Sequence, residues 1–294
     1  MFGKKKKIVT NVEPSQWKEV WRLFCKNKVS VVALIFLCII LFFALFADFI
    51  VDYQTIITPN PQERMLGPSL QHLFGTDHMG RDLFGRVIHG ARYSLMFGVV
   101  CTSLSLFGGC VLGATAAYFG GKVDAWIMRI IDALMCIPYM LLALSLVAAM
   151  GSGMESMTIA IVVASVPSFT RMIRSVVLTV VRQDYIEAAR SCGVKDRDII
   201  FHHVLPNAIG PIIVNAMMNV AGLIMSAAGL SFIGMGIQPP TPEWGNMLSE
   251  ATSWMRQSPH MIIFPGLAIV LTALCFNLLG DGLTEALDPR QAER

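Results

Sequence analysis

The sequence has little charge for its length. Charged residues make up 15% of the 294 residues, whereas 54% are hydrophobic and the mean hydropathy is +0.60. Soluble domains carry about one-quarter charged residues, so an ordinary cytosolic enzyme is disfavoured. The net charge is only +3 and the basic residues are scattered, whereas a nucleic-acid binder needs a concentrated basic face. The high apolar content excludes intrinsic disorder. We therefore expect a protein whose main solvent is lipid.

The sequence also lacks the motifs of several chemistries. It contains no GxxxxGK[ST] phosphate loop, so we do not expect this chain to hydrolyse ATP by itself. The seven cysteines include no CxxC pair and indicate neither a disulfide framework nor a metal site. An intramembrane hydrolase would need a base or a metal ligand within a membrane span. All six histidines lie outside the long apolar runs, so this class of protein is disfavoured. We predict no catalytic residue, no metal site and no cofactor bound by this chain.

Long apolar runs are what the sequence has in abundance. A membrane-spanning helix needs about 20 mostly apolar residues, because every backbone polar group must be satisfied inside the segment. Six runs meet this requirement, so the predicted fold is an all-α polytopic membrane protein with six transmembrane helices. The runs are 29–51, 93–119, 127–150, 156–172, 208–233 and 261–281.

The distribution of Lys and Arg predicts the orientation. With the N-terminus inside, 18 of these residues lie on the cytoplasmic side and 5 outside, so both termini are expected in the cytoplasm. The tetralysine at 4–7 is expected to anchor this orientation or to contact anionic lipid. The predicted segments are a cytoplasmic N-terminus 1–28, a first transmembrane helix 29–51, an extracytoplasmic loop 52–92, a five-span core 93–281 with a cytoplasmic segment 182–207, and a cytoplasmic tail 282–294.

Two charged residues lie inside the third run. Ionisable residues within a membrane indicate function by default. Arg129 and Asp132 are three residues apart, so they are predicted to pair with each other on a helix. They either line a translocation path or anchor the helix end at the interface, and the sequence leaves both open. Pro138 is expected to kink the same helix.

The cytoplasmic segment 182–207 has the pattern of a small helical hairpin. Asp184 and Glu187 form an Asp-x-x-Glu pattern that can cap a helix start, and Gly193 can supply a left-handed stop. Asp196 can cap a second helix that ends before Pro206. A compact polar element of this kind fits a groove in another protein.

This segment resembles the EAA loop of the membrane subunits of ABC importers. The resemblance rests on the EAA triplet at 187–189, on Gly193 and on the Leu-Pro pair at 205–206. The family's isoleucine position falls on His203, with Val204 beside it, which is a departure from the pattern. The resemblance implies that the loop docks into an ATPase subunit. The residues it implies for this coupling are Asp184, Tyr185, Glu187, Ala188, Ala189, Arg190, Gly193, Leu205 and Pro206.

Two further stretches extend the resemblance over nearly the whole chain beyond about residue 20. The run 75–82 (GTDHMGRD) with Arg86 is similar to a signature of dipeptide, oligopeptide and nickel permeases, and 232–245 and 280–289 match the same family. The chain is most similar to its C-type subunits, with a type I ABC importer permease fold. The resemblance implies as partners a homologous B-type permease, two ABC ATPase subunits that use ATP and Mg, an external solute-binding protein and the lipid bilayer. No nucleic acid is expected.

The acidic and basic residues of 77–86 have the spacing of a short surface helix. Asp77 with Arg81, and Asp82 with Arg86, are each four apart and are predicted to pair. Such a helix would contact a docked solute-binding protein or would serve only its own stability, and both alternatives stay open.

We expect uptake of dipeptides or oligopeptides through the cell membrane, driven by ATP hydrolysed on partner subunits. Nickel or metallophore uptake is the alternative within the family, because those permeases share the same signatures. An ion-coupled secondary transporter is the alternative from another class. It would require inverted repeats and carboxylates near the bilayer midplane, and neither is visible in the sequence.

Overall fold

The structure is a computed structural model that describes residues 16–287, with side chains from Lys18 onward. The tetralysine at 4–7 and the Asp288-Pro289 pair lie outside the described residues. Within 16–287 the regular elements are all helical, apart from an isolated bridge between Thr76 and Asp82, and loops connect them. The helices are α1 (Gln16–Lys26), α2 (Lys28–Leu45), α3 (Ala47–Ile50), α4 (Tyr53–Ile57), α5 (Leu83–Phe119), α6 (Gly121–Met135), α7 (Tyr139–Met150), α8 (Met154–Val181), α9 (Asp184–Ser191), α10 (Asp196–Ile199), a π turn (Ile200–Val204), α11 (Leu205–Phe232), α12 (Trp244–Ala251) and α13 (His260–Leu287), with short 3-10 turns at Pro61–Glu63 and Thr252–Trp254.

Five of these helical segments are long and apolar enough to cross a membrane. They are Lys28–Leu45, Leu83–Phe119, Met154–Val181, Asp196–Phe232 and His260–Leu287. The predicted polytopic all-α fold is confirmed, and the observed helices mostly extend beyond the predicted runs. One large extension is at α5, which begins at Leu83 rather than at 93 because Asp82 caps its start.

The third span differs from the prediction. Instead of one kinked helix over 127–150, α6 and α7 meet at an angle of 83°. The break falls at Cys136–Pro138, where Pro138 lies before the first residue of α7 with extended ψ. Proline has no N–H to continue the helix and disfavours helical backbone in the residue before it, so the chain turns rather than bends. The bent pair is either one broken span, which would give the predicted six spans, or a re-entrant loop beside five spans.

Small residues allow the central helices to approach closely. A Cβ on Gly113 of α5 would lie 2.6 Å from the Thr170 carbonyl oxygen of α8, and one on Gly98 would lie 2.4 Å from Ile224 of α11. Close backbone approach of this kind replaces the hydrophobic effect as the packing force in lipid. α2 packs on α13 at the periphery, where the Ser30 hydroxyl donates to the Leu278 carbonyl oxygen at 3.0 Å.

The loops gather at two ends of the bundle. One end, called here the coupling end, carries most of the segment 182–207, which is named the coupling segment after its predicted role. Its residues 182–204 contact the end of α5 through Tyr118. The opposite end, called here the loop end, carries residues 46–82 and 233–259, which contact each other through the buried ion pair of Arg81 with Glu250.

Candidate coupling site and the clamp at the loop end

The first half of the coupling segment is an exposed helix fixed by one apolar side chain. Ile186 is buried on the inner side of α9, whereas Asp184, Glu187 and Ala188 are exposed and Tyr185 is 45% exposed. A concave patch of about 430 Å³ runs beside this helix and is lined by Val181, Arg182, Gln183, Ile186, Glu187, Arg190 and Ser191. The N-cap of α9 is Gln183 and no side chain caps it, so the predicted capping by Asp184 is wrong.

Gly193 ends this helix as predicted. Its φ of +76° lies in the left-handed region. The Val194 N–H donates to the Ala189 carbonyl oxygen at 3.2 Å, and the Gly193 N–H donates to that of Arg190 at 3.0 Å. These two hydrogen bonds form a Schellman motif, which satisfies carbonyl groups that the helix leaves unpaired.

The second half of the coupling segment does not end at Pro206. Residues 196–232 form one continuous helical path through the π turn, and Asp196 is the first residue of α10 rather than its cap. In the π turn the Leu205 N–H donates to Ile200, so the wider turn accommodates a proline directly afterwards. The extra residue of the π turn also explains the departure at His203, because Val204 is the residue that becomes fully buried.

Tyr118 joins the coupling segment to the end of α5. Its hydroxyl donates to Asp196 Oδ1 at 2.6 Å, and the Arg190 guanidinium lies 4.6 Å from the ring centroid. Arg190 also donates to the Tyr118 carbonyl oxygen at 3.4 Å. Both halves of the coupling segment are thus attached to one side chain on a transmembrane helix.

Two ion pairs connect α6 to α8. Asp124 accepts two hydrogen bonds from Arg174, each 2.5 Å long, and Asp132 accepts one from Arg171 at 2.5 Å. The predicted pairing of Asp132 with Arg129 is therefore wrong, because a residue on the neighbouring helix reaches the carboxylate. Arg129 instead lies over the Trp126 ring at 5.8 Å. Whether these residues line a path stays a prediction.

The loop end is held by a buried cluster of two carboxylates and two guanidinium groups, called here the clamp: Asp77, Arg81, Arg86 and Glu250. Arg81 Nε lies 2.6 Å from Asp77 Oδ2 and its Nη2 lies 3.1 Å from Glu250 Oε1. Arg86 contacts Asp77 through Nη1 and Glu250 through Nη2, the latter at 2.7 Å. Burial alone would raise the pKa of Asp77, but Arg86 and Arg81 outweigh burial and hold this pKa below its ordinary value of 3.8.

The clamp corrects the predicted surface helix. Asp77 and Arg81 do pair, but they do so across a turn, and both are almost completely buried. Asp82 does not pair with Arg86: it caps α5 through Gly85 N–H at 2.7 Å and contacts His72 Nδ1 at 2.9 Å. Asp77, Arg81 and Arg86 therefore hold two loops together and present no exposed side chain to a solute-binding protein in this structure.

Sequence reasoning missed Glu250 and Glu243. Glu243 is buried, caps α12 through the N–H groups of Gly245 and Asn246, and accepts a hydrogen bond from the Ser94 hydroxyl at 3.2 Å. Both glutamates find partners about 150 residues away, which no local spacing reveals. Among residues 16–287, no group of three or more His, Cys, Asp or Glu side chains is placed to hold a metal ion.

Comparison with known proteins identifies the family. The model of the binding-protein-dependent transport system inner membrane component matches residues 109–293, more than half of the chain. The chain belongs to this family. A second model, the N-terminal TM domain of oligopeptide transport permease C, matches residues 15–68. The chain is therefore a multi-pass permease of an ABC importer, and the predicted family resemblance is confirmed.

Curated relatives align over almost the full length. The chain is 42% identical to the dipeptide transport system permease protein DppC of Alkalihalophilus pseudofirmus, over 94% of this chain and 90% of that protein. It is 43% identical to the glutathione transport system permease protein GsiD of Pectobacterium atrosepticum, over 93% and 91%. Among solved structures, a chain of the inward-facing methionine ABC transporter MetNI matches with a TM-score of 0.59 and 17% identity, over 70% of this chain and 98% of that one. This last likeness concerns the fold alone.

Proposed function

We propose that this chain is the C-type permease subunit of an ATP-driven importer that takes up dipeptides or oligopeptides. It would assemble with a homologous B-type permease, two ABC ATPase subunits and an external solute-binding protein. ATP and Mg would be used on the ATPase subunits, and this chain would bind no cofactor. Both termini would lie in the cytoplasm, on the side where Lys and Arg are concentrated.

The observation that carries the coupling role is the attachment of an exposed helix to two spans. α9 presents Asp184, Tyr185 and Glu187 outward. Its Arg190 contacts Tyr118 of α5, and the helix 196–232 that follows α9 leads into α11. A displacement of α9 by an ATPase subunit would therefore move two membrane helices directly. Such a shift between inward-open and outward-open states is a population change driven from a distant site.

The peptide substrate is supported by the relatives. The two curated relatives described above are named for dipeptide and glutathione transport, and glutathione is itself a small peptide. Neither relative is named for nickel, so we propose peptide uptake.

Uptake by a strain lacking this gene tests the proposal. Cells are given labelled dipeptides, labelled oligopeptides and labelled nickel, and the deleted gene is restored in a matched strain. We expect loss of peptide uptake with unchanged nickel uptake, and recovery on restoring the gene. Loss of nickel uptake alone would contradict the peptide assignment and leave the permease assignment standing.

A further inference from the structure

One side of α11 carries four polar side chains spaced along its length, beside the exposed Met218 and Met225. It consists of Asn207, Pro211, Asn215, Asn219, Gly222 and Ser226, and is called here the amide face. These residues follow one another at intervals of three or four, so they share one side of the helix. All of them are exposed or half-exposed, whereas Val220, Ile224 and Ala227 on the opposite side are buried.

The exposed faces of the two peripheral helices are different. On α2 the exposed residues include Val32, Ile35 and Phe36, and on α13 they include Leu267 and Val270. Apolar faces of this kind are suited to lipid chains. The amide face is not, because a side-chain amide in hydrocarbon loses its hydrogen bonds to water.

The depth of the polar groups strengthens this contrast. At 1.5 Å per residue, Asn207 and Ser226 are about 28 Å apart along the helix axis, close to the thickness of a bilayer core. Asn219 lies near the middle of Leu205–Phe232, where no interfacial water is in reach. The amide face therefore meets either water or another protein surface.

The hydrogen bonds of the amides leave their acceptors unused. Asn215 Nδ2 donates to the Pro211 carbonyl oxygen at 2.9 Å, and Asn219 Nδ2 donates to that of Asn215 at 2.7 Å. Within the described part of the chain, the Oδ1 atoms of these two side chains accept no hydrogen bond. Each amide is thus held by its own helix while one acceptor and one N–H donor stay available.

Open space adjoins the face at the coupling end. A cavity of about 1070 Å³ lies there between α1, α11 and α13. Its polar lining residues are Asn207, Asn215 and Thr284, and the rest of its lining is mostly apolar, including Val20 and Leu287. A cavity of this size holds many water molecules. The amide face thus begins beside a wide, largely apolar space and continues along the membrane-spanning part of α11.

We propose that the amide face lines the translocation path and hydrogen-bonds the cargo through neutral side-chain amides. Amide donors and acceptors match the backbone N–H and C=O groups that every peptide carries. Since α11 has no charged residue, this face favours neither cationic nor anionic peptides. The inference rests on the proposed function, because it names the surface that a peptide would follow.

A charge placed on the face tests the inference. The variants Asn219→Asp and Asn219→Lys are made in the complete transporter, and uptake of a Lys-containing and of a Glu-containing dipeptide is compared in whole cells. Asn219→Asp should raise the ratio of the two uptake rates by about fivefold in favour of the Lys peptide, and Asn219→Lys should shift it the other way. A purely structural role of Asn219 would lower both rates together. An unchanged ratio in variants that still transport would overturn the proposal.

Asn277→Asp is the matched control. Asn277 is an exposed asparagine on α13, one turn before Asp281 and on the same side as Leu267 and Val270. The same chemical change at this position should leave the ratio unchanged. A shift as large as that of Asn219→Asp would show a general effect of charge, which would contradict a specific role of the amide face.

Thiol labelling keeps the proposal testable if the charged variants do not assemble. Asn219→Cys and the α2 control Ile35→Cys are made after replacing the exposed Cys25, Cys38, Cys136 and Cys192 by Ser. A membrane-impermeant thiosulfonate should label position 219 in at least one nucleotide state and should leave position 35 unlabelled. No labelling at 219 in any state would mean that a partner subunit or lipid covers the face. If the unmodified transporter takes up no peptide, the proposed function is wrong. Labelling at position 219 would still show whether water reaches the amide face.

Discussion

Arg86 at the start of α5 and Glu250 at the end of α12 form a buried ion pair, with Nη2 and Oε2 2.7 Å apart. The two residues are 164 positions apart in the sequence. Arg81 contacts the same carboxylate, and both guanidinium groups also contact Asp77. The loops 46–82 and 233–259 are therefore fixed to each other and to α5 by a single cluster whose formal charges cancel.

Removing Glu250 should destabilise the protein. Glu250→Ala leaves two buried guanidinium groups with one carboxylate between them. Breaking a buried pair usually costs about 3–5 kcal/mol, and we expect the lower end because Asp77 remains. The midpoint of thermal unfolding of the purified transporter measures the effect. Glu19→Ala, which removes an exposed carboxylate 3.9 Å from Arg22, should leave the midpoint nearly unchanged. Equal midpoints for the two variants would contradict the clamp.

His78 should make the loop end sensitive to mild acid. Burial lowers the pKa of His78 below its ordinary value of 6.5, although Asp77 and Glu250 act in the opposite direction. The unfolded chain therefore binds a proton at a higher pH than the folded chain does, and stability falls as the pH drops below about 6.5. The pKa of Asp77 is lowered below 3.8, so Asp77 stays ionised over this range.

The variant His78→Gln should remove part of this dependence. Thermal unfolding is measured at about pH 5 and about pH 7.5 for both proteins. We expect a smaller difference between the two midpoints in the variant, because a titrating group has become neutral. An identical difference would show that the acid sensitivity arises elsewhere.

The backbone at Gly193 should control coupling. Its φ of +76° is accessible to glycine and tolerable for asparagine, whereas proline is held near about −65°. Gly193→Pro should therefore reduce ATP-driven uptake at least tenfold while the protein still inserts, and Gly193→Asn should retain most of it. Membrane protein levels and ATPase activity are measured beside uptake. Full uptake by Gly193→Pro would contradict the coupling assignment.

Charge reversal on the outer side of α9 offers an independent test. Glu187 is exposed and lines the concave patch beside this helix. Glu187→Arg should uncouple ATP hydrolysis from uptake, because a partner surface complementary to a carboxylate would repel a guanidinium group. The exposed Glu155 on α8 is the control, and its reversal should not affect coupling. Unchanged uptake by Glu187→Arg would place the docking surface elsewhere.

The Tyr118 hydroxyl should transmit movement of the coupling segment to α5. Tyr118→Phe removes its hydrogen bond to Asp196 and keeps the ring under Arg190. Hydrogen bonds to charged groups contribute about 1.5–3 kcal/mol, so uptake should fall about tenfold with less effect on ATPase activity. Asp196→Asn should act similarly, and the double variant should be no worse than the stronger single variant. Additive losses would show that the two residues act separately.

Much of the fold could be predicted from local sequence. Apolar runs predict the spans because the thickness of the bilayer core sets the length of a membrane-spanning helix. Gly193 could be read as a helix stop because few other residues adopt positive φ. The 83° turn before Pro138 was only partly predictable, since proline indicates a disturbance of the helix and the neighbouring helices decide its size.

The partners of charged residues could not be predicted in the same way. Spacing suggested Arg129 for Asp132 and Arg86 for Asp82, but the structure pairs these acids with Arg171 and with His72. Helical spacing gives only the neighbours on one element, whereas the observed partners come from other elements. Glu250 could not be identified for the same reason, because its partner Arg81 lies 169 residues away in the sequence.

The central claim is that α9 docks on an ATPase subunit, and site-specific photocrosslinking tests it most directly. Tyr185 is exposed on α9, so benzoylphenylalanine at this position should point into any docked partner. In membranes containing the complete transporter, we expect irradiation to join this chain to an ATPase subunit, with a yield that changes when nucleotide is added. The same probe at Phe107, an exposed position on α5, should not give that product. Crosslinks from position 185 only to lipid or to another permease would contradict the account.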